Sequence, residues 1–285
     1  MGSRRTLVGL GLLAVVVTAL AGSVWSVLLA VNLATSPGLP WSVVVMGALL
    51  AFGWRVIDGQ SGPRRGADVR HRLLRARALP RETMGWSLLA GFLSLAALVG
   101  LWIILVQVSG TGGRALPDYS LYPPITVALA LLIAAVLGAV VEEAMFRGYF
   151  QGALERHLVA RGWLAIVITA IVMAPEHALT QGFLWTTILF YLAVDVMLGA
   201  LVYLTDSILP GIIVHAAGLA VFFGLIWPGD ATRRSVADAG GDATFWLHVG
   251  QVVVFASLAI VAFRQLARTP RPARDAQPAV GSSIS

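Results

Sequence analysis

"PPITVALALLIAAVLGAVVEEAMFRGYF", residues 123–150, begins as an unbroken apolar run and ends with Glu142, Glu143 and Arg147. A helix that crosses a bilayer needs about 20 apolar residues, and the run from Pro123 to Phe146 supplies them. Charges in hydrocarbon are expensive, so three ionisable side chains at the end of such a run must neutralise one another, reach water or perform a task.

The rest of the chain has the same character. Of 285 residues, 58% are hydrophobic and 12% charged, against about 45–50% and about 25% in a soluble domain. Apolar segments fall at 6–33, 41–57, 84–108, 123–146, 163–180, 183–204, 208–226 and 245–263. The expected fold is all-α, a polytopic transmembrane bundle of about eight spans, with the second and last segments short for a crossing. With no Cys, disulfides, thiolate nucleophiles and Cys-ligated metals are excluded.

All 20 basic residues are Arg, and the formal net charge is +6. This bias, with abundant Ala, Gly and Val, fits a GC-rich genome and hence a bacterial cell membrane. The arginines lie in short loops between apolar runs, which points to membrane orientation rather than to nucleic acid. The loop 58–82 holds Arg64, Arg65, Arg70, Arg72, Arg75, Arg77 and Arg81, and the tail holds Arg264, Arg268, Arg271 and Arg274. With eight spans, both fall in the cytoplasm together with the N- and C-termini. Arg233 and Arg234, in the loop 227–244, are the exception and fall outside. The loop 58–82 reads either as an interfacial helix with Val69, Leu73, Leu74 and Leu79 on its apolar side or as a solvated basic loop. Ala19-Leu20-Ala21 resembles a signal-peptidase site, but the apolar run continues to Leu33, so an uncleaved anchor is expected.

Four regions follow. Residues 1–122 carry the first transmembrane helices and the basic loop 58–82. Residues 123–226 carry the polar groups and form the core. Residues 227–268 hold the last span, and 269–285, rich in Pro, Ala and Ser, read as a disordered tail. No internal repeat is visible.

The ionisable residues within or beside the spans are Glu142, Glu143, Arg147, Glu176, His177, Asp195, Asp206 and His215. Asp206 and Ser207 suit a turn between spans, where either caps the next helix. Glu143 and Arg147 stand in the favourable i,i+4 order for an ion pair. Glu142 points about 100° away from Glu143 on a helix and has no basic i+4 partner, since residue 146 is Phe. It must be protonated, solvated, metal-bound, hydrogen-bonded across the bundle or catalytic. His177 closes "MAPEHAL" and His215 closes "LPGIIVHAAG". Either alone reads as a packed histidine. A Glu with two His in one bundle can activate water, with the carboxylate as general base or all three on a Zn²⁺ ion.

Convergence of the three is not automatic. A hairpin turning near residue 160 has arms of about 17 residues, or about 25 Å, which puts Glu143 and His177 level. His215 lies about 15 Å beyond the turn at Thr205-Asp206. The two depths differ by about 10 Å if every helix starts at the membrane surface.

"EEAMFRG", a His in the next span and the later "YLTDSILPGIIVHA" together resemble the CAAX protease and bacteriocin-processing (CPBP, or Abi) family, which includes the Ras-converting CAAX prenyl endopeptidases. The resemblance covers about 123–226. It implies that Glu142 is the water-activating base, that Glu143 and Arg147 are the second Glu and the Arg of E-E-x-x-x-R, and that His177 ends an F-x-x-x-H motif with Met173 in place of Phe. It also implies that His215 begins H-x-x-x-N/D, where Leu219 stands in place of the amide or acid. Losing an oxyanion donor of that kind costs roughly 3–4 kcal/mol. Glu176 and Asp195 are candidate substitutes, with a structural or coupling role favoured for Asp195.

The resemblance thus implies an intramembrane endopeptidase acting on a membrane-associated peptide or membrane protein. Glu142, His177 and His215 would be catalytic, and Glu143, Arg147, Asp195 and Glu176 supporting. The glutamate mechanism requires no cofactor; Zn²⁺ held by Glu142, His177 and His215 is the metal alternative. Two other classes stand beside it: an inactive membrane scaffold or immunity protein, suggested by Leu219, and a proton-coupled transporter using Glu142, His177 and Asp195. The missing repeat gives the transporter no support.

Overall fold

The computed structural model describes residues 4–64, 66–111 and 118–270. Every regular element among them is helical. In chain order these are α1 (Arg4–Thr35), α2 (Trp41–Ile57), α3 (Ala67–Leu74), α4 (Arg81–Ser109) and α5 (Pro124–Glu142), which continues through a π-helical segment (Glu143–Gln151) into α6 (Gly152–His157). Then follow α7 (Trp163–Gln181), α8 (Trp185–Thr205), α9 (Leu209–Val221), a wide turn (Phe222–Ile226), a tight 3₁₀ stretch (Trp227–Thr232), α10 (Val236–Ala239) and α11 (Ala243–Leu266). The chain is a polytopic helical membrane protein. The tail beyond residue 270 and the segment 112–117 lie outside the described residues.

Each of the eight apolar segments forms a helix, and six helices are long and apolar enough to cross a membrane. The short ones are α2, with 17 residues, and α7, whose apolar part is Trp163–His177. The last segment, expected to be short, is a 24-residue helix. Asp242 starts it early by accepting the Phe245 N–H at 2.8 Å, and it runs on through Arg264 to Leu266.

Helix α4 lies at the centre, packed against α8, α9 and α11. Trp102, Phe190, Phe222 and Trp227 fill one core cluster, with Trp102 edge-on to Phe190 at 4.9 Å, a favoured aromatic arrangement. On α1, Val8, Leu12, Val16, Leu20 and Val27 are exposed, forming the apolar surface that lipid tails would cover.

Contacts sort the loops onto two ends. At one end, Arg75 and Arg77 meet Asp206, and Arg75 meets Glu155. At the other, Thr126 donates to the Pro37 carbonyl and Trp102 to Asp230. The loop 58–82 forms a helix, as one of the two expectations has it, but a short one. Its helix has only eight residues and only Leu74 is buried, while Val69 faces outward. The loop folds back and buries Arg75, so it is not merely solvated. Asp206 ends α8 in the left-handed region, φ 52°, where Asp is among the few tolerated residues. It accepts from arginines rather than capping α9; Ser207 contributes there by accepting the Leu209 N–H at 3.3 Å.

Candidate active site

The site is built around the π segment. All nine of its residues, Glu143 to Gln151, are buried. Turns closed by i→i+5 bonds are rare and concentrate at functional sites. Polar residues recur at every fourth position from its start: Glu143, Arg147, Gln151 and then Glu155 on α6. At this spacing they share one inward face.

This segment also reduces the expected depth mismatch. Arg75 bonds both Glu155 and Asp206, so the ends of the two hairpins are level. Glu142 is thirteen residues from Glu155, about 20 Å in an α-helix, whereas His215 is nine residues from Asp206, about 14 Å. Wide turns hold more residues per turn and climb less per residue, which brings Glu142 down to His215.

Glu142 Oε2 lies 3.6 Å from His215 Nε2 and 3.9 Å from His177 Nε2. It is buried and has no hydrogen-bond partner among the described residues. The other nitrogen of His215, Nδ1, is 3.0 Å from Glu143 Oε1. His177 Nε2 also lies 3.7 Å from Asp195 Oδ1, and its ring stacks on Tyr191 at 4.0 Å and 11°. The expected pairing of Glu143 with Arg147 is present but shared. Arg147 Nε is 3.7 Å from Glu143, while its Nη2 donates to Asp195 at 2.5 Å. Glu143 and Arg147 are wholly buried and Asp195 nearly so.

Helices approach closely where the side chain is smallest. A Cβ at Gly211 would stand 2.7 Å from Glu143 Oε2. The glycine therefore lets α9 lie against the carboxylate that holds His215, as small residues do at membrane helix contacts.

Leu219 stays beside the site. Its Cδ1 would be 3.1 Å from a Cβ on Gly138, and Glu142 Oε1 3.7 Å from the same point. It lines a small cavity together with Leu95, Tyr191, Val214, His215 and Trp227. The cavity is almost wholly apolar and reaches the catalytic candidates at His215. Asp195 is committed to Arg147 and His177. Glu176 Oε2 is buried without a hydrogen-bond partner among the described residues.

No group of three or more His, Asp or Glu side chains among the described residues is arranged to hold one ion.

Sequence reading overlooked Tyr191, Gln151, Glu155 and the role of Arg75. The four-residue polar repeat from Glu143 to Glu155 was the available signal for two of them.

A family model described as type II CAAX prenyl endopeptidase, Rce1-like, matches residues 124–221. Over this stretch the chain is similar to the CAAX protease family. The match runs from the first residue of α5 to the last of α9, so the matched stretch contains Glu142, Glu143, Arg147, His177, Asp195 and His215. Helices α1 to α4 and α11 lie outside it. This likeness supports a CAAX-type intramembrane protease in general. No curated protein and no solved structure matches the chain.

Proposed function

We propose that this protein is a glutamate-dependent intramembrane endopeptidase that cleaves a membrane-associated peptide or membrane protein. The observation that carries the reading is the place of Glu142 Oε2, 3.6 and 3.9 Å from two histidine nitrogens and without a hydrogen bond of its own among the described residues. Those gaps are too long for direct hydrogen bonds, and we place the attacking water beside the three atoms.

Glu142, aided by His177, takes a proton from that water. The oxygen attacks the peptide carbonyl carbon, and the carbonyl electrons move to oxygen. His215, oriented through Nδ1 by Glu143, presents Nε2–H to the oxyanion. Collapse breaks the C–N bond, and the proton held on Glu142 passes to the leaving amine. Asp195 fixes His177 and Arg147 rather than reacting. The apolar cavity beside His215 suits a substrate with bulky apolar side chains near the cleaved bond. No step needs a metal.

The second reading, an inactive scaffold or immunity protein, draws on Leu219, which offers the oxyanion no donor. One experiment separates the two. A reporter peptide is incubated in detergent with wild type and with Glu142→Gln, and metal content and melting curves are taken on the same samples. Turnover should fall at least ~10²-fold in Glu142→Gln, with melting unchanged. Equal turnover in both removes Glu142 as the base. A folded wild type that cleaves none of a varied set of peptides supports the scaffold. Loss of bound metal from Glu142, His177 and His215 variants alike would replace the metal-free route with a Zn²⁺ one.

A further inference from the structure

One buried cluster takes no part in that chemistry. Arg75 is 4% exposed and holds φ 59°, a left-handed conformation that a long side chain rarely adopts. Such a residue persists only where its surroundings over-determine it, and here they do. Arg75 Nη1 and Nη2 donate to the two oxygens of Glu155 at 3.2 and 3.0 Å. Its Nε donates to Asp206 at 2.8 Å, and its carbonyl accepts the Ile208 N–H at 3.1 Å. Burial works against its charge, but Glu155 and Asp206 outweigh burial and raise its pKa above the ordinary arginine value.

The same residue reaches the π segment directly. Arg75 Nη1 donates to the backbone carbonyl of Arg147 at 3.5 Å. The preceding residue, Leu74, packs so close that a Cβ at Gly148 would stand 2.8 Å from its carbonyl oxygen. Glu155 is in turn bonded by Gln151, which also donates to the Gly199 carbonyl at 3.0 Å. The polar row is thus held at both ends, by His215 and Asp195 near the chemistry and by Arg75 at the far end.

Anchoring at both ends has a geometric use. Nine consecutive residues are long for a π-helix, which mostly occurs as a single turn. If the segment relaxed to α-helix it would lengthen, and each residue of lost register would turn one end against the other by about 100°. Glu142 and Glu143 would then leave the level of His177 and His215.

We infer that Arg75 is a positioning residue: by pinning Glu155 and the Arg147 carbonyl it keeps the π segment wound and the two glutamates in register with the two histidines. Its effect on turnover rests on the endopeptidase reading; its effect on helix length does not.

The test uses the full chain. Because the protein has no Cys, cysteines introduced at exposed Leu132 and Val159 carry the only two spin labels, and their separation reports the length of the helix between them. Reporter turnover and label distance are measured in wild type, Arg75→Lys, Arg75→Gln, Glu155→Gln and the double variant Arg75→Gln with Glu155→Gln. The double variant leaves no unpaired charge, since Arg77 still holds Asp206 at 3.0 Å. In Arg75→Gln the label distance should lengthen and kcat fall about 10²-fold, the cost of a misplacement of about 1 Å, with KM little changed. The double variant should regain melting temperature but neither kcat nor distance, and Arg75→Lys should recover only part of either. Wild-type kcat and distance in folded Arg75→Gln or in the double variant overturn the inference, as does a fall in kcat with no change in distance. If Arg75→Gln does not fold, the double variant decides by the same criteria. If wild type turns over no peptide, the endopeptidase reading fails, and the label distance alone decides the role of Arg75.

Discussion

Glu142 and Glu143 are neighbours in the chain with different partners. Glu142 faces two histidine Nε2 atoms across open gaps, whereas Glu143 is bonded to His215 Nδ1 and lies within reach of Arg147. Both were legible in the sequence because an acid inside an apolar run is conspicuous. The sharing of partners was not, since Asp195 reaches Arg147 from 48 residues away and His215 reaches Glu143 from 72. That sharing changes what substitution should do. By i,i+4 spacing alone, Glu143→Gln should cost stability only. With His215 held by the same carboxylate, it should lower turnover as well as melting temperature. Arg147→Ala leaves Glu143 and Asp195 buried without their guanidinium, and breaking such a pair costs roughly 3–5 kcal/mol. Folded protein should therefore be largely lost. Melting curves and turnover on the same preparations check both, and a stable, fully active Arg147→Ala would place the pair in water.

At the scale of elements, apolar runs announced the helices, but nothing in them announced the π segment. A hydrophobic run with one polar residue in four suits α- and π-helix alike, and tertiary bonds from Asp195, His215 and Arg75 decide between them. Likewise the loop 58–82 displayed its arginines in the sequence, yet the burial of Arg75 depends on Glu155 and Asp206, 80 and 131 residues away. Close helix contacts were hidden for the same reason, since a glycine in an apolar run does not say what lies opposite. Gly211 tests how tightly α9 must approach. A methyl group there would stand 2.7 Å from Glu143 Oε2, inside contact distance, so α9 or the carboxylate must shift. Gly211→Ala should destabilise by about 1–3 kcal/mol and lower turnover through His215. Gly224→Ala, with nothing within 4 Å of the added Cβ, is the control. Equal losses in the two variants would show a general glycine effect rather than this contact.

At the scale of the whole molecule, contacts group the loops and arginines orient the groups. Arg75, Arg77, Glu155 and Asp206 bind the segments near 75, 155 and 206 into one end, and the bonds from Thr126 to Pro37 and Trp102 to Asp230 define the other. The first end carries Arg55, Arg64, Arg70, Arg72, Arg75, Arg77, Arg81, Arg156 and Arg161, so it should be cytoplasmic by the excess of arginine in short loops. Arg233 and Arg234 stand against the rule at the opposite end. Arg233 is occupied there, with Nε 2.9 Å from Asp230, which also accepts from Trp102 at 2.8 Å. It acts as part of a local bridge between α4 and the stretch after α9. Two arginines so placed are outnumbered by the other end, which should set the topology. Reporter fusions after Gln60 and after Arg268 should therefore read cytoplasmic, and a fusion near Gly113, which lies outside the described residues, should read external. Inverted signals at all three points would turn the bundle over and move substrate entry to the other face. Gln60 and Arg268 on opposite sides would mean that α7, the short helix between them, fails to cross. A further fusion in the turn between α7 and α8, at Phe183, checks this. A signal there opposite to that at Gln60 keeps α7 as a span, whereas a cytoplasmic signal would bring His177 into the site on a re-entrant helix and require the peptide to enter beside it.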